Sequence, residues 1–104
     1  MLSFHELASR TEVEFLSLVR DAWKLESSRV LSPETFKGGF ELLFSSEAGH
    51  LSLRYSDMEF EARLDGAEVF GASQHPTFSG NMFSLENLAG CLPRILEATV
   101  NALA

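Results

Sequence analysis

The chain has 104 residues, 45% of them hydrophobic, nine phenylalanines among them, and a formal net charge of −7. That is room for one domain with one modest core, spanning 1–104, and too little for two. The acidic balance attracts basic partners and repels nucleic acid and anionic membranes, so direct nucleic-acid binding is not expected. The lone Cys91 leaves no partner for an intramolecular disulfide. No apolar run approaches the roughly 20 residues of a membrane span. Met1-Leu2-Ser3-Phe4-His5-Glu6 lacks a basic and then apolar leader pattern, so a cytoplasmic location is expected.

Thr11-Glu12-Val13-Glu14 has the form of a capping box. Phe15, Leu16, Val19, Ala22 and Trp23 then recur at three- and four-residue spacing, which predicts a helix over about 12–26 with Trp23 in the core. Ser3 to Ser9 adds a short turn of helix before it. Ser27 to Gly39 is read as a connection, with a turn at Ser32-Pro33-Glu34 and an end at Gly38-Gly39.

Period-two alternation then predicts four strands. Phe40, Leu42 and Phe44 alternate with Glu41 and Leu43; Leu51, Leu53 and Tyr55 with Ser52 and Arg54; Met58, Phe60, Ala62 and Leu64 with Glu59, Glu61 and Arg63. A turn at Ser56-Asp57 opposes Leu53 to Phe60 and Arg54 to Glu59. Asp65-Gly66 is a type I′ hairpin signal, which opposes Arg63 to Glu68 and Ala62 to Val69. Val69 then faces inward and Phe70 outward, among the charges. After a loop punctuated by Gly71, Pro76 and Gly80, Ser84 caps a last helix. Leu85, Leu88, Leu92, Ile95, Leu96, Val100 and Leu103 keep helical spacing there, with Gly90 and Pro93 as interruptions that kink or divide it. The expected fold is α+β: an N-terminal helix, a four-stranded antiparallel meander and a C-terminal helix, α-β-β-β-β-α, with the helices on one sheet face.

The chemistry of the side chains points away from catalysis. His5, His50 and His75 are far apart and match no metal-ligand spacing, and neither a phosphate-binding nor a nucleophile-elbow motif occurs. No cofactor or metal is expected. Cys91 sits between Leu88 and Ile95 with only Arg94 near it, the setting of a packing residue. Glu59 and Glu61 share one strand face, but on an open face beside Arg54 and Arg63 they stay ionised, unlike a general acid.

What the pattern offers is a surface. Between Glu41 and Glu68 lie Glu41, Glu47, Asp57, Glu59, Glu61, Asp65 and Glu68 against Arg54 and Arg63. Glu41, Asp57, Glu59, Glu61 and Glu68, with Phe70 as an aromatic anchor, form the candidate partner-binding set, and the partner is a basic protein.

Thr11-Glu12-Val13-Glu14-Phe15-Leu16-Ser17-Leu18-Val19 resembles the T-E-x-E-F-L-x-x-V opening of the first helix in colicin-type nuclease immunity proteins, and His75-Pro76-Thr77-Phe78-Ser79-Gly80 is similar to their H-P-S-G segment. Those proteins are all-helical, and their tyrosine pair has no counterpart here. The immunity proteins of contact-dependent inhibition and polymorphic toxin systems, whose folds are diverse, accommodate the strands better. The resemblance implies a small acidic inhibitor that silences a cognate toxin, a nuclease, without catalytic residues; separately, a monomer is expected over a dimer. Two alternatives stay open: a dimeric secretion chaperone that holds an effector segment, and a small ligand-binding α+β domain.

Overall fold

The computed structural model describes residues 2–31, 38–56, 59–71 and 85–103. Helix α1 (Phe4–Leu18) leads into strands β1 (Lys24–Leu31), β2 (Gly39–Ser46), β3 (Gly49–Ser56), β4 (Glu59–Leu64) and β5 (Ala67–Phe70), and helix α2 (Leu85–Leu103) follows. The strands form one antiparallel sheet in the order β1-β2-β3-β4-β5. This is the α+β meander between two helices that the sequence predicts, with one more strand at its β1 edge. The expected Ser32-Pro33-Glu34 turn, Asp57, Met58, the His75-Pro76 turn and the Ser84 cap lie outside the described residues.

α1 starts earlier than its capping box suggests. Ser3 is the N-cap, its Oγ accepting from the Glu6 N–H at 3.2 Å. Thr11 is buried in mid-helix instead, and its Oγ1 donates to the Leu7 carbonyl at 2.7 Å. Starting at Phe4 puts Leu7, Ala8, Thr11 and Phe15 on one buried stripe. The helix stops at Leu18 because Arg20 and Asp21 both take the left-handed conformation, φ +53° and +59°. The Asp21 N–H then donates to the Leu16 carbonyl at 2.9 Å and the chain turns back toward the sheet. Trp23 therefore lies past the helix, half-buried and edge-on to Phe15 at 6.4 Å.

The core is the layer between the two helices and the inner sheet face. Leu7 and Phe15 of α1 and Leu88, Leu92, Ile95 and Leu96 of α2 meet Phe40, Leu42, Phe44, Leu51, Leu53, Tyr55, Phe60 and Ala62. Phe15 packs on Phe44 at 4.7 Å between ring centres. α2 runs unbroken through Gly90 and Pro93, since its apolar stripe stays continuous on the core side while Gly90 and Pro93 are exposed. No helix among the described residues is long and apolar enough to cross a membrane.

Two registers differ from the sequence reading. β3 and β4 pair Tyr55 with Phe60, Leu53 with Ala62 and Arg54 with Glu61, two residues away from the expected alignment. A two-residue shift leaves every side chain on its expected face and gives Leu51 the partner Leu64 in place of Ala62. The Asp65-Gly66 turn forms as expected, with φ +50° and +87°. After the pairs Leu64 with Ala67 and Arg63 with Glu68, however, a bulge intervenes and Ala62 pairs with Phe70. Phe70 thus turns inward, is 1% exposed and stands edge-on to Phe60 at 6.2 Å.

Candidate functional site: the charged outer face of the sheet

With both helices on one side, no helix among the described residues covers the other sheet face, and parity decides what it carries. Glu41 and Leu43 of β2, Ser52 and Arg54 of β3, Glu59, Glu61 and Arg63 of β4 and Glu68 of β5 alternate with the buried residues of their strands. β1 adds Arg29, which pairs with Glu41. The registers thereby align Arg29, Glu41, Arg54 and Glu61 in one row across four strands, with alternating charge.

That row is internally bonded. Arg29 donates to Glu41 Oε1 from Nη2 at 2.8 Å and from Nε at 3.1 Å, and Arg54 Nη1 lies 3.8 Å from Glu41 Oε2. The Glu41 side chain, only 13% exposed, sits clamped between the two guanidiniums. Arg63 grips Glu61 with both ends of its fork, Nε to Oε1 at 2.8 Å and Nη2 to Oε2 at 3.1 Å, and its Nη1 donates to the Gly66 carbonyl at 3.0 Å. Glu59 and Glu68 are exposed. Asp57 lies outside the described residues, and Phe70, expected here as an anchor, belongs to the core. The face is therefore a lattice of alternating charges, not an acidic patch. Arg29 makes the difference, and β1, which carries it, has no strand pattern in the sequence.

At one end of this face the strands bound a concavity of about 710 Å³ lined by Glu26, Leu43, His50, Ser52, Arg63 and Asp65. Its floor holds Leu43, one of three large exposed apolar residues among those described, at 39%. The rim is braced: Asp65 N–H donates to the His50 carbonyl at 2.8 Å, and His50 N–H returns a bond to Asp65 Oδ1 at 2.9 Å. Ser45 Oγ donates to Glu26 Oε1, holding the β1 bulge against β2. Among the described residues no group of three or more His, Cys, Asp or Glu is placed to hold a metal ion.

The Arg63 hydrogen bond holds the Glu61 carboxyl below the usual carboxylate range; partial burial opposes this, and the charges of Arg63 and Arg54 reinforce it. A carboxyl lowered in the folded state stabilises the fold above its unfolded pKa, about 4.3, and that contribution is lost as pH falls through the lower folded value. Both side chains are more than one-third exposed, so screening keeps the effect under about 1 kcal/mol. Glu61→Gln is expected to lower stability by that small amount at neutral pH and to match the wild type in strong acid. Urea unfolding across the acid range measures it, and a deficit that persists below the folded pKa would sink the assignment.

Comparison of the chain with protein-family models, with curated proteins and with solved structures finds no match.

Proposed function

We propose that the chain is a bacterial toxin-immunity protein, a non-catalytic cytoplasmic inhibitor that binds a basic nuclease toxin domain and occludes its substrate surface. The observation that supports this reading is the outer sheet face, which no helix among the described residues covers and on which Glu59, Glu61 and Glu68 stand on paired strands at fixed spacing. Carboxylates held in place by the backbone ladder, and in the case of Glu61 by Arg63, lose little freedom on meeting a cationic cleft. The excess of acids over the whole chain, seven charges, steers the encounter. The arginines between the carboxylates add selectivity, because a uniformly basic surface set in the wrong register meets Arg54 or Arg63.

The test is association kinetics with a cognate nuclease toxin domain, at low and physiological salt. Glu59→Lys with Glu61→Lys should slow association about tenfold at low salt, and the difference should narrow as salt is added. Rates indifferent to both the substitutions and the salt would remove the sheet face from the contact.

A second reading, a small ligand-binding domain, draws on the concavity over Leu43, whose volume of about 710 Å³ falls within the range of small-molecule sites. Leu43→Glu separates the two: it abolishes binding of a small ligand in that concavity and leaves toxin association carried by Glu59 and Glu61 largely intact.

A further inference from the structure

The helical layer carries a surface of a different kind. Val13 is 68% exposed and Leu18 43%, the other two large apolar residues that α1 and the sheet leave in water among those described. Val13 lies on the side of α1 turned away from the buried stripe of Leu7, Thr11 and Phe15, while Leu18 continues that stripe into the exposed last turn. They border two adjoining grooves that share Val13 and Glu14. One, of about 440 Å³, runs past Arg10; the other, of about 340 Å³, crosses to Pro93 and Glu97 of α2. The lining therefore spans α1 at i, i+3, i+4 and i+8, two turns of one face, and is closed on its far side by a second helix. This is the shape that receives a third helix.

Charge selects the occupant. Across the two helices Glu6, Glu12, Glu14, Glu86 and Glu97 face only Arg10 and Arg94, whereas the sheet face is balanced by its arginines. At the groove, Glu14 and Glu97 flank the apolar floor of Val13, Leu18 and Pro93. A second copy of the chain would bring Glu14 and Glu97 against the same acids, which disfavours self-pairing.

We infer that the α1–α2 groove is a docking site for a basic amphipathic helix of a partner protein, its apolar side chains over Val13, Leu18 and Pro93 and its lysines or arginines toward Glu14 and Glu97. The site is on the opposite layer from the sheet face and does not rest on the immunity reading.

The experiment titrates the full chain, uniformly ¹⁵N-labelled, with a leucine–lysine helical peptide of about 14 residues, long enough for about four helical turns, and with its leucine–glutamate counterpart. The leucine–lysine peptide should shift the amides of Val13, Ser17, Leu18 and Glu97. Val13→Asp, and separately Glu14→Lys with Glu97→Lys, should weaken it about tenfold, while Glu59→Lys with Glu61→Lys leaves it unchanged. Val13 is exposed enough that Val13→Asp keeps the fold, which the dispersion of the spectrum verifies, and Val13→Ser repeats the test without a charge. Four outcomes overturn the inference: shifts that fall on β3 and β4, equal binding of the leucine–glutamate peptide, a dimer in sedimentation that Val13→Asp converts to monomer, or shifts of residues 72–84 in the peptide-free Val13→Asp spectrum, which would make the chain's own segment the occupant.

Discussion

Phe70→Ala is expected to cost about 3–5 kcal/mol of unfolding free energy, the range for removing a fully buried phenylalanine ring. The ring is 1% exposed and rests edge-on against Phe60 at 6.2 Å, on the last turn of the sheet before the chain leaves it. Its burial depends on one extra residue: Arg63 pairs with Glu68 while Ala62 pairs with Phe70, so Val69 is the residue the bulge absorbs. In a ladder without the bulge, Ala62 would oppose Val69, Phe70 would stand among the carboxylates, and the same substitution would change stability by less than about 0.5 kcal/mol. The two registers thus predict effects roughly tenfold apart. Against a total stability of about 5–15 kcal/mol for a domain of this kind, the larger loss moves the denaturation midpoint far enough to be read in one urea titration. A midpoint within error of the wild type would put Phe70 in water and restore it as a surface anchor.

Which parts of the fold were legible in the sequence follows from which signals the chain spells locally. β2, β3 and β4 alternate strictly and α2 repeats at helical spacing, so their faces are visible without coordinates. The turn at Asp65-Gly66 announces itself because only a few residue pairs accept positive φ twice. Arg20 and Asp21 adopt positive φ without a glycine, so nothing in the sequence ended α1 before Trp23. β1 hides for a related reason. The irregularity between Leu25 and Ser27 breaks the parity of Leu25 with Val30, and most of the strand is exposed at the sheet edge, leaving no alternation to detect. Parity alone does not distinguish the two β3–β4 alignments, since each gives three inward apolar pairs, with Leu51 meeting Ala62 in the expected one and Leu64 in the observed one.

The same logic divides the candidate site. That Glu41, Glu59, Glu61 and Glu68 share a face is a consequence of period two and was readable. That Glu41 is enclosed by Arg29 and Arg54 was not, because Arg29 reaches the face only through β1. Seven acids between Glu41 and Glu68 suggest an acidic plate, and the registers convert it to a charge lattice whose net field is weaker and whose pattern is more specific. Long-range steering then belongs to the whole molecule and short-range selection to the lattice, two effects that salt separates, since screening acts over roughly 8 Å at physiological ionic strength.

Gly39→Ala is expected to destabilise the fold by at least about 2–3 kcal/mol, for a reason that involves no lost contact. Gly39 opens β2 and pairs with Leu31 on one side and Ser56 on the other, so it ties three strands at one level. A Cβ added there would overlap the Tyr55 carbonyl oxygen, with the Tyr55 carbonyl carbon at 2.9 Å and Ser56 Cα at 3.1 Å. All three are backbone atoms of the paired strand, and none swings aside as a side-chain tip would. Relief requires β2 and β3 to part at the end where Phe40 and Tyr55 stack at 6.1 Å, which opens the core beneath them. Gly66→Ala provides the comparison. At φ +87° with nothing within 4 Å of the added methyl, it carries only the conformational penalty of a left-handed alanine, about 1 kcal/mol. Thermal or urea unfolding of both variants should therefore rank Gly39→Ala well below Gly66→Ala. If the two lose equal stability, β2 and β3 separate freely at Gly39, and the close approach there contributes nothing to holding the charged face in register.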